Sequence, residues 1–543
     1  MVCSNCIDGT RDIIDLSQLD YEKSECTSND GRCGPCQDIE EVEDKIANTV
    51  QRLKDLLDRH LELKTTLNHA HSSTIRDLPI EILSKIFQSC QEEYFQGDSL
   101  QEEASLAHFD VPLRLGAICR TWRQIAWSSP QLWTHISLRR CSPSKLLDEY
   151  LILEEWAPRS GVLPLAVYIS EYDEDRVKGG DGFWQMSLKL LAQSSARWRD
   201  VYIHLGKDSF NYLWSQIDTA PQIAELALGR ETWEGGDDNN TIFPPWKGVK
   251  LRPQRISTVS SHSFRLKHLN IDWNRVTHVH SESWDAQECL DLLKKAPLLQ
   301  SCHFDHVGDD NWDAPPPVDG RPIYHHAHLR QLTFTSHDFC GAFFDHIALP
   351  GLKKFSYSLR FISSQGKDNP SLLPFFERSS FQLTYLHLSA YTLTQDYVIF
   401  LLEKVPSLVH LRLELAASAD DPNVPFRTDI FLQHLAQTAE VQNDLPNGSL
   451  PPFLPRLESF EQYSGTTCPW AVVPDVFGPP SAFGKVGRRP LKSFFVESDG
   501  VNLPRVPKEV LVKLKESMNM GAVIQYKILG CDRIPGHIRY NLE

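Results

Sequence analysis

Two stretches, Leu383-Thr384-Tyr385-Leu386-His387-Leu388 and Leu408-Val409-His410-Leu411-Arg412-Leu413, place their apolar residues in one order, apolar-x-x-apolar-x-apolar. The second and third apolar residues are two apart, which puts them on one face of a β-strand. Working outward, the same triplet stands at Trp198-Val201-Ile203, Ile223-Leu226-Leu228, Leu266-Leu269-Ile271, Leu299-Cys302-Phe304, Leu329-Leu332-Phe334, Leu352-Phe355-Tyr357 and Leu491-Phe494-Val496. A further copy at Leu457-Phe460 has Gln462 in the third place. Successive starts lie between 23 and 49 residues apart. Prolines 221, 297, 350, 406, 455 and 490 stand just ahead of copies, where proline ends the preceding segment. Ala286 to Lys295, Gln395 to Lys404 and Asp429 to Thr438 read as helices between strands.

A strand-then-helix unit of this length cannot bury its apolar face alone and must stack on its neighbours. The pattern over residues 139–543 resembles an irregular leucine-rich repeat, although the Asn or Cys that closes the turn in that family is mostly missing. The resemblance implies an α/β solenoid with a parallel sheet on its concave side. An α/β domain with a continuous sheet is the competing architecture. Insertions at 173–182, 231–248, 308–322, 418–426, 443–455 and 464–489 are expected at the rims, as spacers or as partner-binding loops.

A different pattern occupies residues 74–138. Leu78-Pro79-Ile80-Glu81-Ile82-Leu83-Ser84-Lys85-Ile86-Phe87 is followed by Cys119-Arg120-Thr121-Trp122-Arg123 and Pro130-Gln131-Leu132-Trp133. Pro79 suits a first helical turn, where its missing N–H costs nothing. Asp77 can cap that turn, and Glu81 sits near the positive end of the helix dipole. Ile82, Leu83, Ile86 and Phe87 share one helical face. A second helix is expected from about Pro112, with Leu113, Leu115, Ile118, Cys119, Trp122, Ile125 and Ala126 as its apolar residues. The joint motif resembles an F-box, with a connection from about 92 to 111 that is longer than the family's. That resemblance implies docking to a Skp-type adaptor and a cullin. The implied contact or bracing residues are Leu78, Pro79, Glu81, Ile82, Leu83, Ile86, Phe87, Leu113, Cys119, Trp122 and Trp133.

Residues 37–72 read as one helix. Ile39, Val42, Ile46, Thr49, Leu53, Leu56, His60, Leu63 and Leu67 alternate at +3 and +4, a heptad seam that Thr49 and His60 weaken. Homodimerisation through this helix and folding back onto the F-box are both open. Ahead of it, Cys3-x-x-Cys6 and Cys33-Gly34-Pro35-Cys36 carry ligands suited to a tetrahedral zinc site. Their separation is longer than ribbon spacing, so residues 1–36 read either as a zinc knuckle or as a flexible tail with free thiols. No cofactor is otherwise required. Cys-Gly-Pro-Cys lacks the preceding strand of a redox domain.

Composition bounds the function. The 543 residues carry a formal charge of −16, which argues against a nucleic-acid footprint. No apolar run reaches membrane-spanning length, and the polar start is unlike a signal peptide. Thirteen cysteines, unevenly spread, fit a reducing cytoplasmic or nuclear compartment. There is no phosphate-cradling loop, zincin motif or nucleophile elbow, and His325-His326-x-His328 reads as a surface run. The fold expected is therefore α+β and multi-domain: an N-terminal helix, a helical F-box and a leucine-rich-repeat-like region. The function expected is non-catalytic capture of a protein substrate for a cullin-type ubiquitin ligase, with an adaptor-bound scaffold as the alternative. The x position between the second and third apolar residues should line the concave face, as Asn270, His303, Thr333, Ser356, His387, Arg412 and Phe495. His387 and Arg412, with Lys353 and Lys354 nearby, would suit an acidic or phosphorylated partner.

Overall fold

The computed structural model describes residues 33–71, 78–92, 111–140, 143–171, 181–217, 221–229, 250–259, 264–308, 322–337, 340–360, 369–390, 393–415, 426–438, 453–464, 468–478, 488–498 and 506–528. Two compact units divide the chain, Met1–Glu93 and Tyr94–Glu543. Cys3 and Cys6 of the expected zinc set lie outside the described residues, as do most of the insertions.

In the first unit, Gly34–His71 is one helix of 38 residues. Cys33 precedes it, exposed, and Cys36 is half-buried in its first turn. Lys45 pairs with Glu41 four residues back, and Thr49 returns its hydroxyl to the Lys45 carbonyl at 2.7 Å. Ile39, Val42, Ile46, Leu53, Leu56 and Leu63 are all exposed. A second helix, Ile80–Glu92, follows; Ile82 N and Leu83 N donate to the Pro79 carbonyl in its first turn.

The second unit opens with a correction. In place of one helix from Pro112 there are two, Val111–Ile118 and Arg120–Ser128. Cys119 breaks the run in extended backbone and caps the second helix, its Sγ accepting from Trp122 N at 3.4 Å. The two helices sit close: a Cβ on Gly116 would fall 2.1 Å from the Trp127 ring, so Gly is required there. A 3-10 turn, Pro130–Trp133, then feeds the first strand. Trp133 is buried, donates its indole N–H to Ala126 O at 2.8 Å, and meets Trp127 and Trp156 edge-on. The Arg159 guanidinium lies over the Trp127 and Trp133 rings at 5.2 and 4.9 Å.

From His135 onward, fourteen strands form one sheet in the order in which the chain makes them, His135–Arg139 to Val523–Ile528. Every pairing is parallel. Two-residue strands at 324–325 and 347–348 pair separately. Parallel neighbours need crossovers, and helices supply many of them, among them Ala286–Lys295, Gln395–Glu403 and Thr428–Gln437. Strand side chains alternate, as in the buried Phe355, Tyr357 and Leu359 against the half-exposed Ser356 and Ser358. Helices lie on the buried face: Phe344 of Gly341–Phe344 meets the strand rings of Phe334, Phe355 and Tyr357 at 5.0–6.2 Å.

Nine of the ten triplets enter strands of this sheet. Leu266-Leu269-Ile271 does not: it forms a 3-10 turn and a single bridge, Leu251 to Ile271. The strands there are Arg255–Val259 and His278–Glu282, whose inward Thr258 and Ser281 are buried but polar. Gln462 shows the same substitution. It is buried and donates from Nε2 to Thr428 Oγ1 at 2.7 Å, while its Oε1 is buried without a hydrogen-bond partner, so the polar residue fills an apolar place only half satisfied.

Candidate functional site

Two sets of residues carry the expected sites, and each is set by strand or helix period. On Ile80–Glu92, Leu83 and Phe87 are buried, whereas Pro79, Glu81, Ile82 and Ile86 are exposed and Leu78 is half-buried. Ile82 and Ile86 are one turn apart, so they form an uncovered apolar stripe. In the second unit Leu113, Ile118 and Cys119 are exposed, Trp122 is half-buried and Trp133 is buried. The eleven residues thus divide by burial: Leu83, Phe87 and Trp133 are interior, Leu78 and Trp122 are half-buried, and Pro79, Glu81, Ile82, Ile86, Leu113 and Cys119 are exposed.

The open face of the sheet carries the second set. Strand register runs His280, His303, Thr333, Ser356, His387, Arg412, Glu461 and Phe495 in one row across neighbouring strands. Six of the seven expected positions lie on it. Asn270 does not, and His280 takes its place. Glu461 was missed because the third inward position of its strand is Gln462.

His387 and Arg412 are brought together, but around a carboxylate. Ser356 Oγ lies 2.8 Å from His387 Nδ1, and His387 Nε2 lies 3.3 Å from Glu414 Oε1, off the line of a good hydrogen bond. Arg412 donates to the same oxygen from Nε at 2.8 Å and from Nη2, with Glu461 at 3.7 Å from Nη1. The Arg412 charge is therefore balanced within the sheet and is not a free anion receptor; Lys353 and Lys354 remain exposed. His387 and Arg412 hold the Glu414 carboxyl down at about 2 against the opposing effect of its burial. Ser, His and Glu in contact suggest a nucleophile system, yet these are mid-strand positions. Their strands pair on both sides in the ladder.

A depressed carboxyl stabilises the fold above its unfolded value and ceases to do so as pH falls through its folded value. The Glu414 contribution is thus complete above about pH 4.5 and lost towards about pH 2, and its size is about 3 kcal/mol. Urea midpoints at pH 5 and pH 3 should differ less in Glu414→Gln than in the parent. Equal acid sensitivity of the two proteins would remove Glu414 from the account.

Farther along the row, the His280 and His303 rings stack at 4.4 Å beside Asp305. Burial works to raise the Asp305 carboxyl, but hydrogen bonds from both histidines overcome it and hold it well below the usual range. Elsewhere, His325 and His328 are exposed, as expected. His326 is not: it is buried, accepts from Leu329 N at Nδ1 and places Nε2 3.0 Å from Ala296 O, which pins the turn before its strand. Among the described residues no helix is long and apolar enough to cross a membrane. Neither a scan against protein-family models nor a search of curated proteins finds a match for this chain.

Proposed function

We propose that the chain is a substrate receptor of a cullin-type ubiquitin ligase, in which an F-box at 74–138 docks a Skp-type adaptor and the repeat region captures a protein. The observation that carries this reading is the stripe of Pro79, Ile82 and Ile86, exposed on a helix whose other residues Leu83 and Phe87 are buried. An apolar stripe left to water is unfavourable by about 1.5–3 kcal/mol per side chain against a buried one, so it favours a partner. These are residues to which the F-box resemblance assigns adaptor contact. Strand-and-helix units stacked in chain order support a leucine-rich-repeat-like solenoid, a form that offers a long face to a protein partner. In this reading catalysis is proximity: the receptor brings the target to a ubiquitin-charged enzyme carried elsewhere in the assembly. The exposed seam of Gly34–His71 offers a second copy of the chain a place to pair.

Affinity purification of the tagged full chain followed by mass spectrometry tests the reading. Adaptor together with cullin is the expected result. Adaptor without cullin would favour a non-catalytic scaffold. Nucleic acid without either would favour a zinc-dependent binder built on the N-terminal cysteines.

A further inference from the structure

We propose that His280, His303 and Asp305 form a binding site for a zinc-class divalent cation on the open face of the sheet. His280 and His303 are cross-strand partners on His278–Glu282 and Ser301–Val307. Asp305 lies two residues beyond His303 and therefore on the same face. Both imidazoles converge on one carboxylate oxygen: His280 Nε2 is 3.4 Å and His303 Nε2 is 3.0 Å from Asp305 Oδ2. All three ligand atoms fall within 4.8 Å of one another. A tetrahedral zinc with bonds of about 2.0–2.1 Å spaces its ligands roughly 3.3 Å apart. The two N···O separations already approximate edges of that tetrahedron.

The supporting structure suits a ligand set. All three residues stand on interior strands; the ladder fixes His280 against His303 and pairs Asp305 with Glu282, while the register towards Gln331–Ser336 is interrupted between Phe304 and Val307. The residues are half-buried. Two imidazoles with one carboxylate select zinc, cobalt and similar ions over magnesium or calcium, which prefer all-oxygen shells. Three protein ligands leave a fourth position for water or for a donor atom of a bound molecule.

The test uses the full chain with Cys3, Cys6, Cys33 and Cys36 replaced by Ser, so that the N-terminal thiolates cannot supply the site. Titration with Co2+ should give one ion per chain, with visible absorption, no near-UV thiolate band, and displacement by Zn2+. Asp305→Asn and His303→Gln should each weaken Co2+ binding at least tenfold, with each variant still unfolding cooperatively in EDTA. His280→Gln should do the same. Parent protein that binds Co2+ no more tightly than about 100 µM, or variants that bind as tightly as the parent, would overturn the proposal. The first outcome would leave Asp305 as the partner of two histidines and nothing more.

Discussion

Replacing Arg489 by Met should destabilise the second unit by about 3–5 kcal/mol, the cost of emptying a buried polar site of its one cationic donor. The Arg489 side chain is only 3% exposed. Its guanidinium donates to Leu435 O, Thr438 O, Thr438 Oγ1 and Phe453 O, and its Nε to Leu454 O. Two of these carbonyls lie at the end of the helix Thr428–Gln437, where the last turn leaves its carbonyls without backbone partners and the helix dipole is negative. Burial, with the nearby Arg488 charge, lowers the Arg489 pKa to about 10, so the side chain stays charged at neutral pH. Met fills much of the volume but leaves four carbonyls and a hydroxyl in the interior without that donor. Lys cannot replace a planar fork over five acceptors, so Arg489→Lys should recover less than half of the loss. Urea unfolding of the full chain reads the effect. A loss below about 1 kcal/mol would mean that water enters the site and satisfies the carbonyls at little cost.

Arg197 does the same at the end of Pro143–Arg159, donating to Ser160 Oγ, Gly161 O, Leu163 O and Ala157 O. These arginines were not legible in the sequence. A single basic residue in a turn has no period, and its role depends on a helix end 37 to 54 positions away in the chain. Strands were legible where the apolar triplet recurs, as at Leu386 and Leu388, but not at His135–Arg139 or Leu165–Ser170, whose inward Ile136, Leu138, Val167 and Ile169 are likewise apolar. They were missed at Arg255–Val259 and His278–Glu282, where Thr258 and Ser281 take the second inward place. The same substitution hid His280 from the open-face row, and with it the pairing to His303. The break at Cys119 was hidden for another reason. Apolar periodicity continues straight through it, and only the backbone turn and the sulfur cap mark the new helix. On Ile80–Glu92 the sequence identified the apolar residues, but period alone did not separate Leu83 and Phe87, which are interior, from Ile82 and Ile86, which are not.

That separation sets the second large effect. Ile82→Asp with Ile86→Asp changes two side chains that are each 42% exposed, so the cost to folding should be small. In a docked complex the same two changes would remove apolar burial of about 1.5–3 kcal/mol each and bring carboxylates into an apolar contact. Affinity for the adaptor should fall at least a hundredfold. Leu78→Ala with Pro79→Ala removes less surface and introduces no charge, and should cost about tenfold. Val162→Asp, at a position 91% exposed and outside residues 74–138, is the control and should leave binding unchanged.

The most direct measurement is calorimetric titration of a purified Skp-type adaptor into the full chain, parent against Ile82→Asp/Ile86→Asp. The account predicts a one-to-one complex with the parent and at least a hundredfold weaker binding by the double variant. No complex with the parent, or equal affinity for both proteins, would contradict it.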